Sequence, residues 1–215
     1  MKIYLIRHGQ TDWNIQGKIQ GSHDIPLNET GREQARLLAI GMASRPVRKI
    51  FSSTLKRAVE TARMIGESQS VDIYLVPGLI EVEFGKWEGM TWDEIKEQYP
   101  AEYERWNLNP VDVAPPGGET QADVLKRVAS SIEAVMGMTD KREDIAIVTH
   151  GATMAYIVAY LMRNHPEESE IIVENASITT INYNPLTDDY MLLDANDTSH
   201  LKEACESKSA DSGEN

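Results

Sequence analysis

Cysteine, long apolar runs and positive charge are all scarce in this chain of 215 residues. Its single cysteine, Cys205, excludes an intrachain disulfide. The apolar runs are far shorter than the roughly 20 residues that a membrane-spanning helix requires, so we expect no membrane partner. Lys and Arg number 21 against 34 Asp and Glu, and the formal charge of -13 disfavours binding of nucleic acid, which needs basic patches.

A signal peptide is not indicated either, because the apolar run that follows Met1 already ends at Arg7. We therefore expect a cytoplasmic protein whose partners are small ligands. The overall negative field would repel a phosphorylated ligand, so the pocket for such a ligand would have to be locally basic. Nothing in the sequence indicates whether the chain is a monomer or a homo-oligomer.

Short apolar runs alternate with amphipathic segments along the chain, as is typical of strands alternating with helices. The runs that predict parallel strands are 2–6, 49–52, 72–76 and 145–149. Two alternating runs near 177–183 and 190–193 predict an antiparallel edge. The expected fold is a three-layer α/β/α sandwich with a mostly parallel sheet and an antiparallel edge strand.

This fold is expected to form a single domain over residues 1–195. The remaining residues, 196–215, are polar and acidic, and their composition predicts a disordered tail. The proline- and glycine-rich stretch 109–118 is interpreted as a surface connection within the domain.

Side chains suited to phosphate chemistry follow the four predicted parallel strands. They are Arg7 with His8, Arg57, Glu81 and His150. Because the carboxyl ends of parallel strands meet at one edge of a sheet, we expect these side chains to lie close together. The planar arginine fork donates bidentately to phosphate oxygens, and the helix predicted after His150 would add backbone N–H donors. The sequence therefore predicts a pocket for a tetrahedral dianion.

His8 is the predicted nucleophile of this pocket. An imidazole can attack phosphorus directly and form a phosphohistidine, which water then hydrolyses. Arg7, Arg57 and His150 would stabilise the charge on the equatorial oxygens of the transition state, in place of a metal ion. No cofactor is expected.

Glu81 is the predicted proton donor to the leaving alkoxide, and its carboxylate would then activate the attacking water. Glu83 and Glu88 lie close by in the chain and are rivals for this role. A zinc site made of two histidines and a carboxylate is the alternative interpretation of the same residues, but Arg7 and Arg57 would repel a divalent cation.

The segment from Leu5 to Asn14, LIRHGQTDWN, resembles the Arg-His-Gly signature of the histidine phosphatase superfamily, which is also called phosphoglycerate-mutase-like. The similarity extends over most of the chain. Further matching segments are 21–31, 52–58 with 61–62, 81–89, 117–120 and 148–151.

This resemblance implies the three-layer fold, a phosphorylated His8 and Glu81 as the proton donor. It implies that Arg7, Arg57 and His150 hold phosphate. It further suggests that Asn14 and the backbone around Gly21 line the phosphate site. Gly151, at the start of the helix predicted after His150, is a further candidate phosphate-binding residue.

Three functions remain open at this point. The leading one is a metal-independent phosphatase for small phosphomonoesters. The alternatives are a cofactor-dependent phosphoglycerate mutase and an inactive scaffold that binds phosphorylated ligands. Mutases of the family tend to carry a basic insertion after the glutamate loop, whereas residues 92–99 of this chain are acidic and would repel a second anion.

Four aromatic side chains near the glutamate loop have two interpretations. They are Trp87, Trp92, Tyr103 and Trp106. They could line a pocket for the organic part of a substrate, or they could pack in the core.

Overall fold

Six strands pair into one sheet in the computed structural model, which describes residues 1–165 and 171–202. The strands are β1 (Lys2–Arg7), β2 (Lys49–Ser52), β3 (Ile73–Leu75), β4 (Ile145–Thr149), β5 (Ile178–Asn184) and β6 (Asp189–Asp197). They lie in the order β3-β2-β4-β1-β5-β6. The first four in that order run parallel, whereas β5 is antiparallel to both β1 and β6. The predicted α/β fold is confirmed, with an antiparallel edge of two strands.

Helices cover both faces of this sheet. They are α1 (Asp12–Ile15), α2 (Glu29–Gly41), α3 (Lys56–Gln69), α4 (Trp92–Gln98), α5 (Pro100–Leu108), α6 (Gln121–Gly137) and α7 (Gly151–Leu161). Capping boxes that begin at Thr91 and Thr120 start α4 and α6. Across residues 1–165 and 171–202, no helix combines the length and apolar character needed to cross a membrane.

The alternation of side chains along β1 shows how the three layers are held together. Ile3 and Leu5 belong to the apolar cluster shared with α6 and α7. Tyr4 and Ile6 point to the opposite face and belong to the cluster shared with α2 and α3. Burial of both faces explains why the parallel strands are continuous apolar runs in the sequence.

The strand register places the chemically important residues at one edge of the sheet. Arg7 at the end of β1 is paired with Thr149 at the end of β4, and Ser52 of β2 is paired with Val148. The ladder continues one residue further, because the backbone N–H of His8 donates to the Thr149 carbonyl at 3.0 Å. Segments that are far apart in sequence therefore leave the sheet at the same level.

The predicted boundary of the tail at residue 196 is wrong for its first residues. Strand β6 continues to Asp197, and His200 is buried with its Nε2 atom 3.0 Å from the Ala176 carbonyl oxygen. His200 also packs against Gly41, where an added Cβ would lie 2.6 Å from the His200 Cβ. The polar composition of residues 196–202 gave no sign of these contacts of His200. Residues 203–215, the rest of the predicted tail, lie outside the described residues.

Candidate active site

Seven of the eight predicted site residues line one open cleft of about 370 Å³ at the carboxyl edge of the sheet. They are Arg7, His8, Asn14, Gly21, Arg57, Glu81 and Gly151. The eighth, His150, is fully buried behind them, with its ring centroid 5.1 Å from that of His8. The topology therefore brings together the side chains that the sequence assigned to separate strand ends.

His8 is held as a neutral imidazole in one tautomer. Its Nδ1 atom lies 2.6 Å from the Gly9 carbonyl oxygen, which can only accept, so Nδ1 carries the proton and the lone pair is left on Nε2. The pKa of His8 is well below 6.5 because of its burial and, next, the positive charges of Arg57 and Arg7. A neutral ring with a free lone pair is the nucleophilic form of histidine.

Arg57, at the start of α3, is held by three different groups. Its Nη1 and Nη2 atoms donate to the carbonyl oxygens of His23 at 2.6 Å and Gly21 at 2.9 Å. Its Nε donates to Nδ1 of His150 at 3.1 Å. Burial lowers the pKa of Arg57 to about 10, and the charge of Glu81 opposes this shift, so Arg57 is protonated at neutral pH. Three of its five N–H donors are used, and two are left for a ligand.

His150 is also neutral, and its tautomer follows from Arg57. Because Nδ1 accepts from Arg57, the proton lies on Nε2, which is 2.7 Å from the Ser53 hydroxyl oxygen. The pKa of His150 is well below 6.5, first because of burial and then because of Arg57 and His8. Ser53 was not predicted as a site residue, although its place after β2 in a matching segment was a usable signal.

Arg7 carries a donor that the protein does not satisfy. Its Nη1 atom donates to the Val173 carbonyl at 2.6 Å. Its Nε atom is buried and has no hydrogen-bond partner within the described residues. Burial lowers the pKa of Arg7, and Glu81 and Glu174 oppose this shift. A half-buried guanidinium with an unused N–H is suited to an anionic ligand.

Glu81 takes the place of a side-chain cap at the start of α7. The N-cap residue, His150, makes no side-chain hydrogen bond to the helix. Instead, the Glu81 carboxylate accepts from the backbone N–H groups of Ala152 at 3.2 Å and Thr153 at 2.9 Å. Two of the helix donors that were predicted for phosphate are thus used to orient Glu81, whereas the N–H of Gly151 makes no hydrogen bond in the described part of the chain.

A charged pair fixes the segment that leads into Glu81. Arg127 of α6 binds Glu119 bidentately, at 2.7 and 2.9 Å. The same guanidinium donates to the carbonyl oxygens of Gly78 at 2.9 Å, Ile80 at 3.1 Å and Glu81 at 3.3 Å. The backbone immediately before the carboxylate is therefore tied to a different helix.

The rival carboxylates have other positions. Glu88 lies beneath Gly21, where an added Cβ would approach its Oε1 atom to 2.0 Å, and Gly21 has a positive φ of 51°. Glu88 accepts from the backbone N–H groups of Ser22 and Phe84, both at 3.0 Å. It supports the loop whose Gly21 carbonyl holds Arg57. Glu83 does not line the cleft, so Glu81 is the member of this trio that does.

Besides Ser53, three polar residues of this region were missed by sequence reasoning. Lys18 and Gln20 line the cleft, and Gln20 directly precedes Gly21 in the loosely matching motif, which was a usable signal. Asn175 donates from Nδ2 to the His8 carbonyl at 3.1 Å and to Oδ1 of Asn14 at 3.3 Å. Asn175 has no sequence signal, because only the fold brings it to His8.

The structure assigns the four aromatic residues to different places. Trp87 is fully buried and packs on Trp106 at 5.5 Å and Tyr103 at 6.2 Å between ring centroids. Trp92 is partly exposed and lines the cleft beside Phe84. Core packing is therefore correct for Trp87, and a place at the pocket is correct for Trp92.

The two buried neutral histidines make stability depend on pH. Both have a lower pKa in the folded than in the unfolded protein, so the unfolded chain binds more protons below pH 6.5 and the free energy of unfolding decreases as pH falls. We expect His8→Gln to reduce this loss by about 1 kcal/mol per pH unit below pH 6.5. Urea unfolding of the wild type and the variant between pH 7 and pH 5 measures the free energy of unfolding. The same decrease with falling pH in both proteins would contradict the expectation.

Known proteins resemble this chain over most of its length. The sequence model of the histidine phosphatase superfamily, branch 1, matches residues 3–196. Phosphoserine phosphatase 1 of Hydrogenobacter thermophilus is 34% identical over 162 residues, which cover 75% of this chain and 76% of that protein. The metal-independent phosphoserine phosphatase of Arabidopsis thaliana is 34% identical over 204 residues, which cover 93% of this chain and 83% of that protein.

A solved structure shows the same fold. The alpha-ribazole phosphatase from Shigella flexneri has a TM-score of 0.82 and 26% sequence identity to this chain. The match covers 92% of this chain and 96% of that one. The chain therefore belongs to branch 1 of the histidine phosphatase superfamily and is a phosphoric monoester hydrolase.

Proposed function

We propose that this protein is a metal-independent phosphatase that hydrolyses small phosphomonoesters through a phosphohistidine on His8. The observation that carries the proposal is the neutral His8 ring, whose Nε2 lone pair is free at a cleft lined by two arginines. The phosphoserine phosphatases among the relatives support a small phosphorylated substrate.

Phosphate binding uses the unsatisfied donors of the cleft. The buried Nε of Arg7 and the two remaining N–H groups of Arg57 donate to phosphate oxygens, and the N–H of Gly151 adds a further donor at the positive end of α7. Asn14 and Gly21 also line this cleft. Two guanidiniums balance the dianion and replace the charge that a metal ion supplies in other phosphoryl-transfer enzymes.

In the first step, the Nε2 lone pair of His8 forms a bond to phosphorus and the bond from phosphorus to the alcohol oxygen breaks. The electron pair of that bond stays on the alcohol oxygen, which takes a proton from the Glu81 carboxyl group. Arg7 and Arg57 stabilise the charge on the equatorial oxygens, and His150 holds Arg57 in place by accepting from its Nε atom. The products are the free alcohol and an N-phosphorylated His8.

In the second step, water attacks the phosphohistidine. The Glu81 carboxylate accepts a proton from the water as the new bond from oxygen to phosphorus forms. The bond from phosphorus to Nε2 breaks, its electron pair returns to His8, and inorganic phosphate leaves. Glu81 is then protonated again, and the site is ready for another ester.

The test combines trapping of the intermediate with removal of metal ions. Radiolabelled 4-nitrophenyl phosphate is mixed with the enzyme and quenched in alkali, in which phosphohistidine is stable. We expect the label on the peptide that contains His8 and an unchanged steady-state rate in excess chelator. Label on another residue, or loss of activity with chelator that added zinc or magnesium restores, would refute the mechanism.

A second assay separates hydrolysis from mutase chemistry. Assays with added glycerate distinguish phosphate release from transfer to a second hydroxyl group. We expect release to dominate because the start of α4 is acidic, with the Asp93 side chain 96% exposed. A stable phosphoenzyme that turns over only when glycerate is added would identify the mutase.

A further inference from the structure

Beside the phosphate-binding residues, the same cleft has a second set of lining residues with different chemistry. The second set includes Lys18, Phe84, Trp92, Ala155, Ile171 and Val173. Except for the Lys18 ammonium, their side chains are apolar, which binding of a phosphate group does not require. When the phosphoryl group lies between His8 and the two arginines, this apolar lining is left for the alcohol portion of the ester.

Trp92 is an aromatic surface held in place from behind. It is the first residue of α4 and is 39% exposed. Its indole stacks on Trp106, with centroids 5.6 Å apart and planes at 23°, and meets the edge of Phe84 at 6.0 Å and 85°. A ring that is already fixed loses little conformational entropy when a ligand binds, and aromatic rings favour stacked or edge-on partners.

The charges of Lys18 and of the start of α4, next to Trp92, are nearly balanced. The ammonium groups of Lys18 and Lys96 offset the carboxylates of Asp93 and Glu94, and Lys96 pairs with Asp93 at 3.6 Å. The pKa of Glu94 is lowered, first by the backbone and side-chain hydrogen bonds from Thr91 and further by Lys18, so the two charges interact. A second strongly charged group on the substrate therefore gains little here.

We propose, resting on the phosphatase function above, that the preferred substrates are phosphomonoesters whose alcohol carries a flat, uncharged aromatic ring. Trp92 is the main contact of this ring, and Phe84, Ile171 and Val173 enclose it. Trp92 determines specificity and takes no part in the chemical steps.

The test compares 2-phenylethyl phosphate with ethyl phosphate. Both esters release an aliphatic alcohol of similar acidity, so the chemistry is matched and the ring is the difference. We expect kcat/KM of the wild type to be at least about tenfold higher for the phenylethyl ester, as a buried aromatic contact contributes on this scale. In Trp92→Ala this ratio is expected to fall below about threefold, and in Trp92→Phe to stay near the wild-type value.

Leu186→Ala is the matched control, because Leu186 is 94% exposed on the turn between β5 and β6, at the opposite end of the sheet. It is expected to leave both kcat/KM values unchanged. A wild-type ratio near one, with both esters hydrolysed, would overturn the aromatic preference alone. A high ratio that persists in Trp92→Ala would overturn the assignment to Trp92. Failure to hydrolyse either ester would contradict the phosphatase function itself.

Discussion

Replacing His8 with alanine is expected to lower phosphate release by more than about a thousandfold, since removing the nucleophile of a comparable two-step enzyme costs on the order of a millionfold. The variant keeps both arginines and Glu81 but has no atom that can take the phosphoryl group. It should therefore still bind substrate. Phosphate release and equilibrium binding of 4-nitrophenyl phosphate measure the two quantities.

His165→Ala is the control for this experiment. His165 is a partly exposed histidine that pairs with Asp189 at 3.4 Å and does not line the cleft, so its removal should leave the rate unchanged. Thermal unfolding of both variants checks that they are folded. If His8→Ala retained a tenth or more of the wild-type rate, the nucleophilic role of His8 would be lost. A wild-type protein that binds phosphoesters without hydrolysing them would instead be the inactive scaffold.

Glu81→Gln is expected to lower kcat/KM for ethyl phosphate by on the order of a hundredfold or more, because a positioned general acid typically contributes this much. For 4-nitrophenyl phosphate the loss should be below about tenfold, since nitrophenolate leaves without a proton. This comparison reports the first step only, because kcat/KM includes the reaction as far as formation of the phosphoenzyme. A burst of nitrophenolate should also appear, as water attack loses its base.

Arg127→Met provides a graded form of the same test. It leaves the Glu81 carboxyl group in the chain but removes the guanidinium that ties Gly78, Ile80 and Glu81 through their carbonyl groups. We expect a smaller loss than in Glu81→Gln, with the same bias against ethyl phosphate. General damage to the fold would instead lower kcat/KM equally for both substrates. Equal losses in Glu81→Gln would show that Glu81 is not the proton donor.

Much of the site could be predicted because a parallel sheet places its strand ends together. The fully buried strand Ile145–Thr149 predicted that His150 would leave the sheet beside the residue that follows β1, and the register confirms this. Periodicity and burial are local properties of a sequence. Because βαβ units permit few topologies, these local properties were enough to predict that His8, Arg57 and His150 lie at one edge of the sheet.

The boundary of the domain could not be predicted in this way. Composition describes residues 196–202 as polar, yet Asp197 ends β6 and His200 packs over Gly41. The contact depends on a glycine about 160 positions earlier whose missing side chain leaves room for the imidazole. A pairing of this kind has no periodic signal.

The sequence by itself determined the layered fold and the set of side chains that meet at the cleft, because burial pattern and strand order are enough for both. Only the tertiary structure decided how each group works. The Gly9 carbonyl selects the His8 tautomer, Arg57 selects that of His150, and α7 selects Glu81 from three nearby glutamates. These choices depend on hydrogen-bond directions between segments that are distant in the chain, and residue spacing does not encode such directions.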